Sequence, residues 1–140
     1  MIPEALMDTD ILSALMRKDA QALAQAKSYL AKHKRFSFSI ITRYEILRGL
    51  KAKQATAQLA VFDQFCKANR ILELTDEIIV KAAEIYSGLY QRGELIGDAD
   101  ILIAASALVH DLVVVTGNEK HFRRIPKLTV TNWFKSSENA

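Results

Sequence analysis

The feature that most constrains the fold is a regular alternation of short apolar segments with longer segments of helical periodicity. The apolar segments occupy residues 5–7, 36–39, 70–74, 112–115 and 128–131. In the stretches between them apolar residues recur at helical spacing, as at Ile11, Leu12 and Leu15. Strands that alternate with helices form a parallel sheet with helices on both faces. The sequence therefore predicts an α/β fold: a three-layer α/β/α sandwich with a central parallel sheet.

Helix-capping residues refine this prediction. After a first helix that begins near residue 9, the apolar spacing predicts helices at 19–33, 40–50, 56–69, 75–91 and 98–110, and a short helical or looped stretch before the last strand. Asp8 or Thr9 is expected to cap the first helix. Asp98 or Asp100 is expected to cap the helix at 98–110. Since one cap suffices for a helix, the other acid of that pair needs a different explanation.

Composition limits the class of protein. The 140 residues are half hydrophobic and a quarter charged, with five glycines and two prolines, as expected of one globular domain spanning residues 1–140. No apolar run approaches the roughly 20 residues that cross a bilayer, and the N-terminus lacks a secretory pattern. The single cysteine excludes an internal disulfide bond. We therefore expect a cytoplasmic protein without a membrane segment.

The charge distribution is mildly basic, with a formal net charge of +3. Basic residues cluster at 33–36, 48–53 and 120–124. Each cluster alone is typical of a solvated helix or loop, but together they are compatible with a rim that binds phosphates.

Three acids lie at the end of a predicted strand or near the start of a predicted helix. Asp8 ends the first strand, Glu45 lies one turn inside the helix after the second strand, and Asp100 opens the apolar helix at 98–110. A parallel sheet opens its functional crevice at the carboxyl ends of its strands. Carboxylates gathered there repel one another unless a cation binds among them, and Mg²⁺ or Mn²⁺ prefers oxygen ligands. The spacing thus predicts a metal site formed by Asp8, Glu45 and Asp100.

Each of these acids also has an ordinary explanation. Asp8 suits a helix N-cap, Asp10 suits the positive end of a helix dipole, and Glu45 suits a solvent-facing position. Thr116 and Asn118 follow the strand at 112–115 and would lie at the same sheet edge. There they would position water or a phosphate oxygen, although ordinary turn residues explain them equally well. No glycine-rich phosphate loop, zinc spacing or serine nucleophile motif competes with the acids.

These residues resemble the PIN-domain family, and most closely its VapC-type toxins of bacterial toxin–antitoxin pairs. The resemblance rests on five segments in order along nearly the whole chain, LMDTDIL, SIITRYEILRGL, IGDADILIAASAL, VVVTGNEKHFRRIPKL and TNWF. It implies the three-layer fold and Mg²⁺- or Mn²⁺-dependent endoribonuclease activity, with Asp8, Glu45 and Asp100 as the catalytic, metal-binding residues. It also implies two protein partners, a second copy of the chain in a homodimer and a small antitoxin.

One position departs from the family pattern. Many relatives carry a further acid where this chain has Asn118. A second ion would be held less strongly here, or by Asp98 or Asp10, so the number of ions stays open. An antitoxin segment has apolar positions on the helices at 19–33 and 56–69 to dock on (Leu23, Leu30, Leu59, Phe62 and Phe65), and core packing explains these positions equally well.

Two other functions remain open at this point. One is a non-catalytic RNA-binding module on the same fold, which the acids disfavour because a phosphate-binding surface gains nothing from a negative pocket. The other is a receiver-like domain that binds Mg²⁺ and is phosphorylated on an aspartate. The predicted third strand ends at Thr75 rather than at an acid, and this disfavours the receiver.

Overall fold

The computed structural model describes residues 2–135 and folds them into alternating strands and helices. The strands are β1 (Ala5–Met7), β2 (Ser37–Ser39), β3 (Arg70–Leu72), β4 (Val113–Val115) and β5 (Val130–Thr131). The helices are α1 (Thr9–Met16), α2 (Ala20–His33), α3 (Ile40–Ala52), α4 (Thr56–Ala68), α5 (Asp76–Gln91), α6 (Asp98–His110) and α7 (Glu119–Phe122).

All strand pairs in the central sheet are parallel. β1 pairs with β4 and β4 with β5, while β2 pairs separately with β3. β1 lies against β2 without joining it in a described hydrogen-bonded ladder, so the order across the sheet is β3-β2-β1-β4-β5. The predicted parallel sheet is confirmed. Because every strand runs the same way, the carboxyl ends of β1, β2 and β4 lie at one edge.

Alternate residues of the central strands serve two separate cores. Leu6 and Val114 pack on the side of α5 and α6, whereas Met7 and Val115 pack on the side of α1, α2 and α4. This follows from the two-residue period of a strand. Helices therefore cover both faces of the sheet, and the predicted three-layer arrangement is confirmed. No helix within residues 2–135 combines the length and the apolar composition that a bilayer crossing would need.

β3 and β5 are each two residues shorter than the apolar segments that predict them. β3 stops at Leu72, which pairs with Ser39, because β2 ends there. Ser39 is the N-cap of α3, and its hydroxyl accepts a hydrogen bond from the backbone N–H of Ile41. At the other end of the sheet, only Val130 and Thr131 find partners on β4. Strand length is thus set by the neighbouring strand rather than by local apolarity.

The start of α6 corrects the capping prediction. Gly97 occupies the N-cap position, and no side chain caps the helix, so neither Asp98 nor Asp100 serves as the cap. Both acids instead lie in the first turn, where the positive end of the helix dipole stabilises negative charge. Asp100 is consequently available for a contact outside its own helix. At α1 the two candidates are resolved in favour of Asp8.

Candidate active site

The pairing of β1 with β4 brings together residues that are more than 100 positions apart in the sequence. Met7 lies opposite Val115, so Asp8 and Thr116 follow the strands at the same point of the sheet edge. The Thr116 hydroxyl donates to Oδ2 of Asp8 at 2.7 Å, and the backbone N–H of Thr9 donates to Oδ1 at 2.7 Å. Both residues are buried. Asp8 is therefore a rigidly held carboxylate at the carboxyl end of the sheet.

Asp10 is the second acid of this edge, and the sequence analysis gave it only a subsidiary role. Its Oδ2 accepts a hydrogen bond of 2.9 Å from the backbone N–H of Gly117. Its Oδ1 is buried and has no hydrogen-bond partner among the described residues. An ionised oxygen that is left buried and unpaired is costly. The sequence signal was its position two residues after Asp8, which places both acids at the start of α1.

Asp100 reaches the same edge from the first turn of α6. Its Oδ2 lies 3.1 Å from Nδ1 of His121, a residue of α7 that the sequence analysis did not assign to the site. The amide nitrogen of Asn118 lies 2.8 Å from that same ring nitrogen. A ring nitrogen carries either a proton or a lone pair, so Nδ1 satisfies only one of these two neighbours at a time. The backbone N–H of Asn118 donates to the Thr116 hydroxyl at 2.9 Å, which connects α7 to Asp8.

Glu45 joins the group indirectly. Its Oε1 accepts a short hydrogen bond of 2.6 Å from the hydroxyl of Thr9, which also lies 3.0 Å from the Thr42 hydroxyl. Its Oε2 is 3.9 Å from the guanidinium of Arg48. Thr9, expected only as a possible cap, is thus the residue that links Glu45 to the start of α1. In the sequence, the only indication that Thr9 belongs to the site was its position between Asp8 and Asp10.

Asp98 lies on a different surface. It lines a pocket formed with α5 residues, Ile79 and Tyr86 among them, rather than the crevice beside Asp8. Of the sequence-predicted site residues, Asp8, Asp100, Thr116 and Asn118 lie at one sheet edge, with Glu45 attached through Thr9.

The carboxylates at this edge influence one another's ionisation. Burial and, second to it, the negative charge of Asp10 together raise the pKa of Asp8 to about 7, against the lowering effect of the hydrogen bonds from Thr116 and Thr9. Burial also raises the pKa of Asp10, and the charge of Asp100 adds to it, although the Gly117 hydrogen bond acts in the other direction. The buried Asp8 and the half-buried Asp10 and Asp100 repel one another when ionised, and a cation among them would stabilise their ionised forms.

The donor chemistry of Asp8, Asp10 and Asp100 fits a hard divalent cation. Their oxygens are the ligand type that Mg²⁺ and Mn²⁺ prefer, and the unpaired Oδ1 of Asp10 is a buried acceptor that such an ion would satisfy. Within residues 2–135 no three histidine, cysteine or acidic side chains are grouped tightly enough to form a finished ligand cage. The acids are close enough to affect one another electrostatically without being drawn around one point.

A groove with basic walls extends from this edge. It has a volume of about 340 Å³ and is bordered by Thr9, Glu45, Arg17 and Lys53. Lys120 lies on α7, Arg123 is the C-cap of α7, and Lys135 lies beyond β5 and forms an ion pair with Glu119 of α7. Two of the basic clusters noted in the sequence, at 48–53 and 120–124, therefore flank the carboxylates. Such a distribution suits a polyanion whose phosphate is brought to the acids.

Comparison with known proteins identifies relatives of the whole arrangement. A family model described as PIN domain matches residues 5–128. Ribonuclease VapC2 of Rickettsia felis is 30% identical over 131 residues, which cover 93% of this chain and 98% of that protein. The tRNA(fMet)-specific endonuclease VapC of Salmonella typhimurium is 31% identical over 100 residues, covering 71% of this chain and 76% of that protein.

Solved structures show the same fold in relatives. A chain in the crystal structure of VapBC2 from Rickettsia felis, bound to a DNA fragment from their promoter, has a TM-score of 0.83 and 28% identity, covering 92% of this chain and 98% of that one. A chain of VapBC-1 from nontypeable Haemophilus influenzae, solved at 2.2 Å resolution, has a TM-score of 0.83 and 27% identity, covering 94% and 98%. This chain therefore resembles these relatives in fold, in length and in sequence.

Proposed function

Because this chain belongs to the PIN domain family, we propose that it is an endoribonuclease, the toxin of a toxin–antitoxin pair, and that it hydrolyses RNA with the help of Mg²⁺ or Mn²⁺. The observation that carries the proposal is the group of carboxylates at the carboxyl edge of the sheet, in which Asp8 is buried, Asp10 and Asp100 are half-buried, and Asp10 keeps an unpaired buried oxygen. Such a group would bind a cation far better than it would bind a phosphate directly.

In this proposal each residue of the site has its own role in hydrolysis. Asp8, Asp10 and Asp100 would hold the ion. When bound, the divalent cation supplies activation of a water for in-line attack on phosphorus and neutralises charge that develops on the phosphate oxygens. Thr116 keeps the Asp8 carboxylate in one orientation through its 2.7 Å hydrogen bond. Glu45, whose Oε1 accepts a hydrogen bond from Thr9, would accept a proton from a water at the groove side of the site.

The basic walls of the groove would bind the RNA backbone. Arg17 and Lys53 border the groove beside Glu45, and Arg48 lies on the exposed side of the same carboxylate. Phosphates on either side of the cleaved bond would lie against these side chains. Neither rival function gains support from the structure, because a pure binder of RNA has no use for buried acids and the relatives named above are nucleases.

An apolar groove on the α1, α2 and α4 side is the proposed site for the antitoxin. It measures about 540 Å³, and its lining is almost entirely apolar, with Leu15, Leu23, Leu30, Phe62 and Phe65 among the lining residues. Lys18 and Lys27 lie on its border. The groove therefore fits an amphipathic segment with acidic flanks, and the VapBC structures are complexes of toxin with antitoxin in those relatives.

The exposed face of α5 is the proposed homodimer surface. Ile79, Ala83, Tyr86 and Tyr90 recur at helical spacing, and the large side chains among them are exposed. The rings of Tyr86 and Tyr90 stack with their centres 6.1 Å apart. An apolar stripe of this kind, left in water, is typical of a protein contact. Replacement of Tyr86 and Tyr90 by serine should convert the dimer to monomer in sedimentation experiments.

The nuclease proposal is tested by incubation of total cellular RNA with the purified protein and Mn²⁺ or Mg²⁺, followed by mapping of the cut ends. We expect discrete cuts that disappear with EDTA and with Asp8→Ala or Asp100→Asn. Circular dichroism should show that both variants keep the fold. If Asp100→Asn cuts as fast as the parent protein, the assignment is wrong.

A further inference from the structure

Phe134 is an exposed aromatic residue at the border of the carboxylate site, and the hydrolysis described above does not use it. A Cβ atom built on Gly117 would lie 2.6 Å from Cε2 and 2.7 Å from Cδ2 of the Phe134 ring, and 2.8 Å from Oδ2 of Asp10. The ring and the Asp10 carboxylate therefore flank the same backbone atom. Even so, 36% of Phe134 is accessible to solvent.

The segment that carries Phe134 is anchored by other residues. The neighbouring Trp133 is buried, with its ring centre 5.7 Å from that of Tyr29 and 6.3 Å from that of Phe36. The backbone N–H of Phe134 donates to Oδ1 of Asn132 at 2.8 Å. Core packing is thus accomplished by Trp133, and the Phe134 ring is not needed to fill the interior.

Glu119 fixes this segment to α7. Its carboxylate accepts a hydrogen bond from the amide of Asn132 at 3.1 Å and forms ion pairs of 2.7 Å with both Lys135 and Arg123. The side chains of Lys135 and Arg123 are more than half exposed. An aromatic ring held in place, with cations beside it, has the composition of surfaces that bind single-stranded nucleic acid.

We propose that Phe134 stacks against an unpaired base of the RNA next to the cleaved phosphodiester bond. The inference rests on the proposed ribonuclease function and deepens it, because it names single-stranded RNA as the substrate class. The ring touches Gly117, and Gly117 holds Asp10, so a base on this ring brings its own backbone within reach of the carboxylates. Lys135 and Arg123 bind the adjoining phosphates.

The test separates a contact with a base from a contact with the backbone. Fluorescein-labelled oligoadenylate of 12 nucleotides and an abasic strand of equal length are titrated with the protein in EDTA, so that binding is measured without cleavage. We expect Phe134→Ala and Phe134→Leu to weaken binding of oligoadenylate about 5- to 100-fold and to leave the abasic strand unaffected. Phe134→Trp should retain oligoadenylate binding, because its ring still stacks.

Two further variants sharpen the result. Leu95→Ala removes a comparably exposed apolar side chain from the loop before α6 and should not change binding. Glu119→Gln weakens the anchor and should lower the preference for oligoadenylate over the abasic strand. Phe134→Leu that binds both strands like the parent protein, or that loses both equally, overturns the inference. Loss of dimer or antitoxin binding without any loss of RNA binding also overturns it.

Failure of this inference is distinguishable from failure of the nuclease proposal. Normal cleavage of total RNA by Phe134→Leu, with unchanged KM, would refute stacking and leave the nuclease intact. Base-dependent binding in EDTA, without any cleavage in Mn²⁺ or Mg²⁺, would refute the nuclease and leave stacking intact.

Discussion

The hydroxyl of Thr116 donates a hydrogen bond of 2.7 Å to Oδ2 of Asp8, across 108 residues of the chain. The contact exists because β1 and β4 pair in parallel with Met7 opposite Val115. It holds one oxygen of the buried carboxylate while the backbone of Thr9 holds the other. The strand pairing therefore fixes the orientation of the Asp8 side chain as well as its position.

Replacement of Thr116 by valine tests this orientation. Thr116→Val keeps the volume but removes the donor to Asp8 and the acceptor for the backbone of Asn118. We expect cleavage to fall about 10- to 100-fold and the free energy of unfolding to fall by about 1–3 kcal/mol. Thr116→Ser, which keeps the hydroxyl, is the matched control and should cut RNA at nearly the parent rate. A valine variant as fast as the serine variant would contradict the role.

The raised pKa of Asp8 predicts a pH dependence of stability in the metal-free protein. The folded chain keeps this proton up to about pH 7, whereas the unfolded chain releases it near the ordinary value of 3.8. The folded state therefore binds more protons between these values, and the free energy of unfolding falls as pH rises from about 4 to 7. The loss should be on the order of 3 kcal/mol.

Urea unfolding in EDTA at pH 5 and pH 8 measures this loss. Asp8→Asn cannot ionise at this position, so its stability should change much less between the two conditions. Addition of Mn²⁺ at pH 8 should restore stability to the parent protein and not to the variant. An equal pH dependence in both proteins would mean that Asp8 does not cause it.

Metal affinity should distinguish Asp100, a proposed metal ligand, from Glu45, which is proposed to act without binding the metal. Asp100 belongs to the carboxylate group, while Glu45 reaches that group only through Thr9. We expect Asp100→Asn to raise the Kd for Mn²⁺ by about tenfold more than Glu45→Gln does, measured by calorimetry. Cleavage should fall severely in both. A larger Kd increase for Glu45→Gln would make Glu45 a direct ligand.

Gly117 should not tolerate a side chain, because its Cα lies between Phe134 and Asp10. Gly117→Ala forces contacts below 3 Å with both, so we expect a loss of about 1–3 kcal/mol in stability and a marked loss of cleavage. Gly49→Ala is the matched control, because Gly49 lies in the last turn of α3 and no atom lies within 4 Å of an added Cβ. That substitution should stabilise the protein by up to about 1 kcal/mol. Thermal melts of the two variants give the comparison.

Local patterns predicted most of the fold. The apolar runs that end at Met7 and Val115 are strands, and the Ile- and Ala-rich segment from Asp98 to His110 is a helix whose central residues are buried. Such elements are identified by periodicity alone. Strand lengths and the break between β1 and β2 depend on neighbouring strands that are distant in sequence. Local patterns therefore could not predict them.

The site was predictable only in part, for the same reason. Asp8 follows the end of a strand and Asp100 lies at the start of a helix. In a parallel sheet such positions lie at the edge where binding sites form, so both residues could be predicted. His121 contacts Asp100 because α7 folds back across the edge of the sheet, and Thr9 contacts Glu45 because α1 and α3 meet there. Asp10 appeared in the sequence as a helix-dipole acid, and only the position of Gly117 shows that it faces the other carboxylates.

The parallel pairing of β1 with β4 also sets the moment at which activity can appear. The ribosome adds Thr116 108 residues after Asp8, on the order of ten seconds later, and Gly117 next. Until then the acid has no partner and the sheet edge does not exist. A nascent chain therefore has no complete carboxylate edge until β4 has left the ribosome and paired with β1.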